Sequence, residues 1–240
     1  MDFLKIIWYN VNKSKCGGDS VAKKSITPTM LFLLGVFSIM GLLSEYLLIE
    51  LETYIFNKKY IEFTITESVT HWIVICVVWA LLGLLLFYVT ARVYGFDMMK
   101  KNERPTMQGL VVAVMLLSSS VGVKYILLGG WQMAVDFRRE GWFQFIFLYI
   151  YRLFETVLLL MAAAFFQEGF ERVVKIDNKK IPWGGAILAL TWGLIHLITT
   201  GDVIMALFYT ALSFFIGCAY LSAHRNVYIS YIFAVVLMLL

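Results

Sequence analysis

Seven long apolar segments constrain the fold of this 240-residue chain more than any other feature. They are Met30–Ile49, His71–Ala91, Met107–Val123, Trp142–Phe166, Ile181–Thr200, Val203–Ala223 and Val227–Leu240. A helix needs roughly 20 apolar residues to cross the hydrocarbon core of a bilayer. The second and sixth segments contain no Asp, Glu, Lys or Arg, whereas the last has 14 residues and is a shallowly tilted, incomplete or half span. We therefore predict an all-α, polytopic membrane helix bundle of about seven (seven to eight) transmembrane helices.

The composition excludes other classes of protein. Apolar and aromatic residues make up 61% of the chain and charged residues 15%, against roughly 45–50% and 25% in soluble domains. An ordinary soluble enzyme, a secreted disulfide scaffold and a disordered protein are therefore excluded. Cys16, Cys76 and Cys218 lie far apart and form no CxxC pair, so we expect no disulfide framework, no metal site and no cofactor. The basic residues lie in short loops rather than on one face, and we expect no nucleic-acid partner.

The distribution of basic residues predicts the orientation in the membrane. With the N-terminus inside, fourteen Lys and Arg residues fall in cytosolic segments and four in outer loops. Because cytosolic loops of membrane proteins are enriched in Lys and Arg, we predict an integral protein of the cell membrane with a cytosolic N-terminus. Residues 1–26 form the cytosolic N-terminal segment, and residues 27–240 form a single transmembrane domain.

Ionisable side chains inside the apolar segments are the candidate functional residues, because each is costly in a bilayer. They are Glu45, His71, Lys124, Arg152, Glu155, Glu168 and His196. A structural role suits five of them, since three lie near the ends of their spans and two can neutralise each other on one helix face. These five are Glu45, His71, Lys124, Arg152 and Glu155.

Glu168 and His196 are the strongest candidates for chemistry. At about 1.5 Å per residue, Glu168 lies roughly 10 Å from a boundary near Lys175, and His196 lies roughly 17 Å from an entry near Gly184. Consecutive antiparallel helices would then bring the two side chains to similar depth, where they could activate a water molecule by general-base chemistry. The structural alternatives are an ion pair between Glu168 and Arg172, and a bond from His196 to a backbone carbonyl.

Two short motifs carry a resemblance to a known family. The sequence QEGFER occupies 167–172, and TWGLIH follows at 191–196. Over about 145–240 the chain resembles the CPBP family of CAAX-protease and bacteriocin-processing membrane proteins, whose pattern is EExxxR, FxxxH and HxxxN in successive helices. The resemblance implies an intramembrane glutamate-type endopeptidase with Gln167, Glu168, Arg172 and His196 at the catalytic positions. Glu168 and His196 would hold the water, and Arg172 would orient Glu168.

The chain departs from the family pattern at four positions, one of which is Trp192 in place of the Phe of FxxxH. Gln167 replaces the first Glu, which activates the water in the family, and an amide has no basic lone pair for that task. Ala234 and Met238 stand where the last His and Asn would fall. The activity is therefore expected to be weak or lost.

Three functions remain open from the sequence. The first is a peptidase acting on a peptide or membrane-protein substrate in the bilayer. The second is a catalytically inactive family member that binds a peptide, as a bacteriocin immunity protein or as the partner of a membrane protein that exports peptides. The third is a small transporter or channel that uses Glu168, His196 and Arg152 as polar steps.

Overall fold

Every regular element that the structure describes is helical. The computed structural model describes residues 25–100, 104–175 and 181–240. The helices are α1 (Pro28–Phe56), α2 (Ile65–Tyr88), α3 (Met107–Leu128), α4 (Gln132–Val174), α5 (Trp183–Leu188), α6 (Leu194–Thr200), α7 (Val203–Ser222) and α8 (Val227–Leu239). Single π-helical turns at Val89–Val93 and Ala189–Gly193 extend α2 and join α5 to α6, and 3₁₀ turns lie at Tyr60–Glu62 and Met98–Lys100. The predicted all-α class is confirmed.

Five of these helical segments are long and apolar enough to cross a membrane. Within the described ranges they are Pro28–Phe56, Ile65–Val93, Met107–Leu128, Gln132–Val174 and Val203–Ser222. Two further apolar helices, Trp183–Thr199 and Val227–Leu239, are shorter. These segments support an integral membrane protein. Residues 1–24 of the predicted N-terminal segment lie outside the described residues.

Local sequence signals set where most of the helices begin. Thr64 and Glu67 form a reciprocal capping box at the start of α2. Thr106, Asp202 and Asn226 each accept a bond from a backbone N–H in the first turn of α3, α7 and α8. These side chains satisfy donors that have no partner inside the helix, so the starts of these helices depend on residues next to them in sequence.

The long helix α4 is divided by one glycine and forms the centre of the bundle. Gly141 adopts φ 72° and ψ 168°, which separates α4a (132–140) from α4b (142–174). All nine residues of Leu158–Phe166 in α4b are buried. This segment is apolar around its whole circumference because α1, α2, α5, α7 and α8 pack around α4.

Close glycine contacts fix the position of α5 along its neighbours. A Cβ atom at Gly184 would collide with the backbone carbonyl of Ala163 in α4b. Gly185 lies against the backbone of Gly217 in α7. Backbones approach this closely in membrane bundles only where side chains are small. The start of α5 is thereby held level with residues 163–167 of α4b, which determines which polar groups can meet.

Candidate functional site

The QEGFER motif lies within a compact group of charged and polar side chains. We call this group the Arg172 cluster; it comprises Gln167, Glu168, Glu171, Arg172 and Arg225. Nε and Nη2 of Arg172 each donate to Oε1 of Glu168 over 3.0 Å. Arg225 lies 3.8 Å from Glu168 and donates to Glu171 over 2.7 Å. Both carboxylates are therefore neutralised by arginine, and the predicted proximity of Arg172 to Glu168 is observed.

The Arg172 cluster also ties distant parts of the chain together. Nη1 of Arg172 donates to the carbonyl of Ile26, just before α1. Arg225 comes from the turn between α7 and α8, where His224 and Arg225 both have positive φ, 54° and 60°. Such a conformation is costly for residues other than glycine. The ion pairs of Arg225 compensate part of this cost and hold the turn against α4b.

Gln167 is a structural connector in this geometry. Its side chain is completely buried, and Nε2 donates to Oε1 of Glu171 over 2.6 Å and to the carbonyl of Ile181 over 3.0 Å. Oε1 accepts from the backbone N–H of Gly184 over 2.8 Å. Each polar end of the amide therefore has a partner of the right kind, and Gln167 fastens α4b to the start of α5. An amide held in this way cannot accept a proton from water.

His196 lies in a separate environment of aromatic side chains. Its Nδ1 is 2.9 Å from the carbonyl of Trp192, and its ring stacks on Tyr209 with centroids 3.9 Å apart. The backbone contact is the structural alternative that the sequence left open. The carboxylate of Glu45 in α1 contributes to the electrostatic environment of His196.

The expected contact between Glu168 and His196 through one water does not follow from this geometry. Because Gly184 bonds to Gln167, the start of α5 is level with the QEGFER motif. His196 is twelve residues further along the chain, or about 18 Å at 1.5 Å per residue. The sequence estimate assumed comparable depths, whereas the glycine contacts place the entry of α5 beside Gln167 itself. The structure therefore brings together Gln167, Glu168 and Arg172 and places His196 at another level.

A second group of ionisable side chains converges at the opposite end of α1. We call it the His71 cluster; it comprises Glu45, Glu52, His71 and Tyr151. Nδ1 of His71 lies 2.7 Å from Oε2 of Glu52, and Nε2 lies 3.6 Å from Oε1 of Glu45. The hydroxyl of Tyr151 donates to Glu45 over 2.9 Å. The sequence predicted that Glu45 lies near the end of its span. In the structure α1 continues eleven residues beyond Glu45 to Phe56, so Glu45 lies well inside the helix.

The remaining charged candidates also have inward-facing partners. Arg152 lies 3.8 Å from Asp136 of α4a and within electrostatic range of Glu155 of α4b. The positive charge of Arg152 is therefore stabilised by two carboxylates, one from each part of α4. Lys124 is buried, and Nζ donates to the carbonyls of Leu237 and Met238 in the last turn of α8. Lys124 therefore points into the bundle, where it supplies donors to carbonyls that have no partner inside their helix.

Sequence reasoning did not name as candidates five of the residues that the structure adds to these sites: Glu52 and Tyr151 of the His71 cluster, Glu171 and Arg225 of the Arg172 cluster, and Asp136, the partner of Arg152. Glu52 follows Glu45 by seven residues, a spacing that places both on one face of a helix, and this was the signal available. Asp136 precedes the break at Gly141 and carried no comparable signal. Ala234 and Met238, at the positions of the last family motif, are buried apolar residues of α8.

Neither cluster is arranged as a metal site. Within the described ranges, no group of three or more His, Cys, Asp or Glu side chains could hold a metal ion. Comparisons with family models, with curated proteins and with solved structures found no match. The functional interpretation therefore depends on the residues of this chain.

Proposed function

We propose that this protein binds a peptide or a membrane-protein partner within the bilayer and does not hydrolyse it. In this proposal the chain is a seven-span CPBP-like protein with a cytosolic N-terminus, in which α5 and α6 together form one span and α8 another. The carrying observation is Gln167. The amide that replaces the family's first carboxylate is buried and makes three hydrogen bonds, so it serves the fold and not a water molecule.

The electrostatics of Glu168 support the same proposal. Glu168 forms ion pairs with Arg172 and Arg225, and an opposite charge stabilises the ionised carboxylate and weakens it as a base. General-base assistance contributes typically about 10²–10⁴-fold to a rate. With Gln167 unable to act and Glu168 held by two guanidinium groups, hydrolysis is expected to be close to background.

An apolar groove between α2 and α4b offers a location for the partner. It encloses about 210 Å³, and it is lined by Trp72, Ile73, Cys76, Val77, Ala80, Phe147, Ile150 and Phe154. Concave apolar surfaces of this kind accommodate hydrophobic side chains. An apolar side chain of a transmembrane or lipid-embedded peptide matches this lining.

The peptidase interpretation of the same motif is the second candidate function. One observation favours it: the Arg172–Glu168 pair has the arrangement that the motif implies. In that case Glu168 would be the base despite its arginine partners, and His196 would have to approach it through a rearrangement of α5 and α6.

A cleavage assay separates the two candidates. Purified full-length protein is incubated with a library of quenched fluorescent peptides and with a prenylated CAAX peptide, beside the variants Gln167→Glu and His196→Ala. The binding proposal predicts turnover by the unsubstituted protein no greater than that of His196→Ala. Brisk cleavage that His196→Ala abolishes would overturn it and establish the peptidase.

The location of binding is tested by photo-crosslinking in native membranes. A benzoylphenylalanine at position 73 lies in the groove, whereas one at position 81 lies on an exposed, lipid-facing part of the same helix. The proposal predicts a discrete adduct from position 73 that is missing from position 81. Equal adducts from both positions would contradict a role for the groove.

A further inference from the structure

Two glutamates of α1 lie on either side of one buried histidine of α2. Glu45 and Glu52 are seven residues apart, which is two helical turns, so both side chains lie on the same face of α1. The side chain of His71 between them is completely buried. Its Nδ1 is 2.7 Å from Glu52, whereas Nε2 is 3.6 Å from Glu45 and has no hydrogen-bond partner.

A count of hydrogens shows what this arrangement lacks. A neutral imidazole has one N–H donor and one acceptor nitrogen. Both ring nitrogens of His71 face carboxylate oxygens, which only accept when ionised. Whichever nitrogen carries the hydrogen, the other directs a lone pair at a carboxylate. Tyr151 supplies a hydrogen to Glu45 but not to the ring, so one further proton is needed to satisfy both contacts.

The cluster has no room for a larger ligand. His71 is fully buried, and Glu52 is 7% exposed. Glu45 and Glu52 face different nitrogens of the ring, and the described residues include no group of three or more His, Cys, Asp or Glu side chains that could hold a metal ion. A buried polar atom without a partner is rare and costly, especially in a bilayer. A proton is the ligand that satisfies the unpartnered nitrogen and requires no cavity.

We propose that Glu45, His71 and Glu52 together bind one dissociable proton, which closes the gap between Nε2 of His71 and Glu45. The proton belongs to the three groups as a unit, as in other strongly interacting sites. Once bound, it makes the chain of contacts continuous from Glu52 through His71 and Glu45 to Tyr151. Proton binding therefore strengthens the attachment of α1 to α2. This activity is independent of the proposed partner binding.

Titratable and charged side chains from the neighbouring elements also face the cluster. Tyr60, from the turn before α2, has its ring centroid 5.3 Å from that of His71. Partial burial, followed by the nearby Glu45 carboxylate, raises the pKa of Tyr60 to about 12, so its phenol stays neutral. From α4b, Tyr151 donates to Glu45, and Glu155 lies within electrostatic range of Glu45. Arg152 lies within electrostatic range of Glu155.

Nitrogen NMR of histidine in the full-length protein tests the proposal. The protein is labelled with ¹⁵N-histidine, reconstituted in lipid nanodiscs and titrated over roughly pH 5 to 9. The three histidines are assigned with His196→Gln and His224→Gln. We expect His71 to pass between a form with one protonated ring nitrogen and a form with two. We expect Glu45→Gln to lower the ratio of imidazolium to imidazole at a given pH roughly tenfold, because one stabilising carboxylate is removed.

A matched control uses Glu50, an exposed glutamate of α1. Glu50→Gln should leave the His71 titration unchanged. If Glu45→Gln does not fold, Tyr151→Phe is the second variant; it frees Glu45 from a competing donor, so the imidazolium fraction of His71 should rise. The proposal is overturned if His71 keeps a single N–H across the whole titration, or if Glu50→Gln changes its titration as much as Glu45→Gln does.

Discussion

Replacing Gln167 by Glu tests the connector role of this residue and separates it from catalysis. The substitution restores the carboxylate of the family motif, but it removes the two N–H donors that now reach Glu171 and the carbonyl of Ile181. Only the bond from the Gly184 N–H to an oxygen of the side chain is retained. The new carboxylate would also face that of Glu171 across the former 2.6 Å hydrogen bond.

The size of the effect follows from these contacts. Both acceptors keep another donor, Arg225 for Glu171 and the backbone N–H of Trp183 for Ile181. Each lost hydrogen bond therefore costs about 0.5–1.5 kcal/mol, and the two together lower the free energy of unfolding by about 1–3 kcal/mol. Changing Glu171 to Gln in the same chain returns an amide donor to the pair and removes the facing negative charge. Neighbouring residues in one network typically couple by about 0.5–3 kcal/mol, so we expect the double variant to be more stable by that amount than the sum of the two single effects predicts.

The free energy of unfolding is measured by SDS titration of the full-length protein in detergent micelles, followed by circular dichroism. The unsubstituted protein, Gln167→Glu, Glu171→Gln and the double variant form one thermodynamic cycle. The connector role is refuted if Gln167→Glu unfolds with the same free energy as the unsubstituted protein. It is equally refuted if the effects of Gln167→Glu and Glu171→Gln are additive in the double variant.

The other predictions concern packing, the end of α8 and topology. Gly184→Ala places a methyl group against the Ala163 carbonyl and should lower the free energy of unfolding by about 1–3 kcal/mol. The matched control is Gly122→Ala, whose added methyl group meets nothing within 4 Å and should leave the stability unchanged or raise it. Lys124→Met leaves the carbonyls of Leu237 and Met238 without their donor. It should destabilise the folded protein by about 1–3 kcal/mol, which is measured as a lower melting temperature. An unchanged melting temperature would mean that these hydrogen bonds contribute nothing to stability. In a cysteine-free background, an impermeant thiol reagent added outside should label a cysteine at position 59 and spare one at position 175, and the reverse pattern would invert the proposed orientation.

The helices and their membrane character were predictable from the sequence because both depend on local properties. Each apolar segment must satisfy its backbone hydrogen bonds internally in lipid, and a helix does this without help from distant residues. Each of the seven predicted segments lies largely within helix in the structure. The ends were predicted less well: α1 runs on to Phe56 through Glu50 and Glu52, and hydropathy alone would end it earlier.

The candidate site depended on how the helices are positioned along one another, and only the tertiary structure decided this. Hydropathy indicates that a segment spans the bilayer but not its level relative to its neighbours, and each residue of displacement moves a side chain by about 1.5 Å. The contacts of Gly184 with Ala163 and of Gly185 with Gly217 set that level for α5. They place Gly184 beside Gln167 and carry His196 away from Glu168. The same dependence explains why the sequence named Glu45 and His71 separately, while the packing of α1 against α2 made them one cluster.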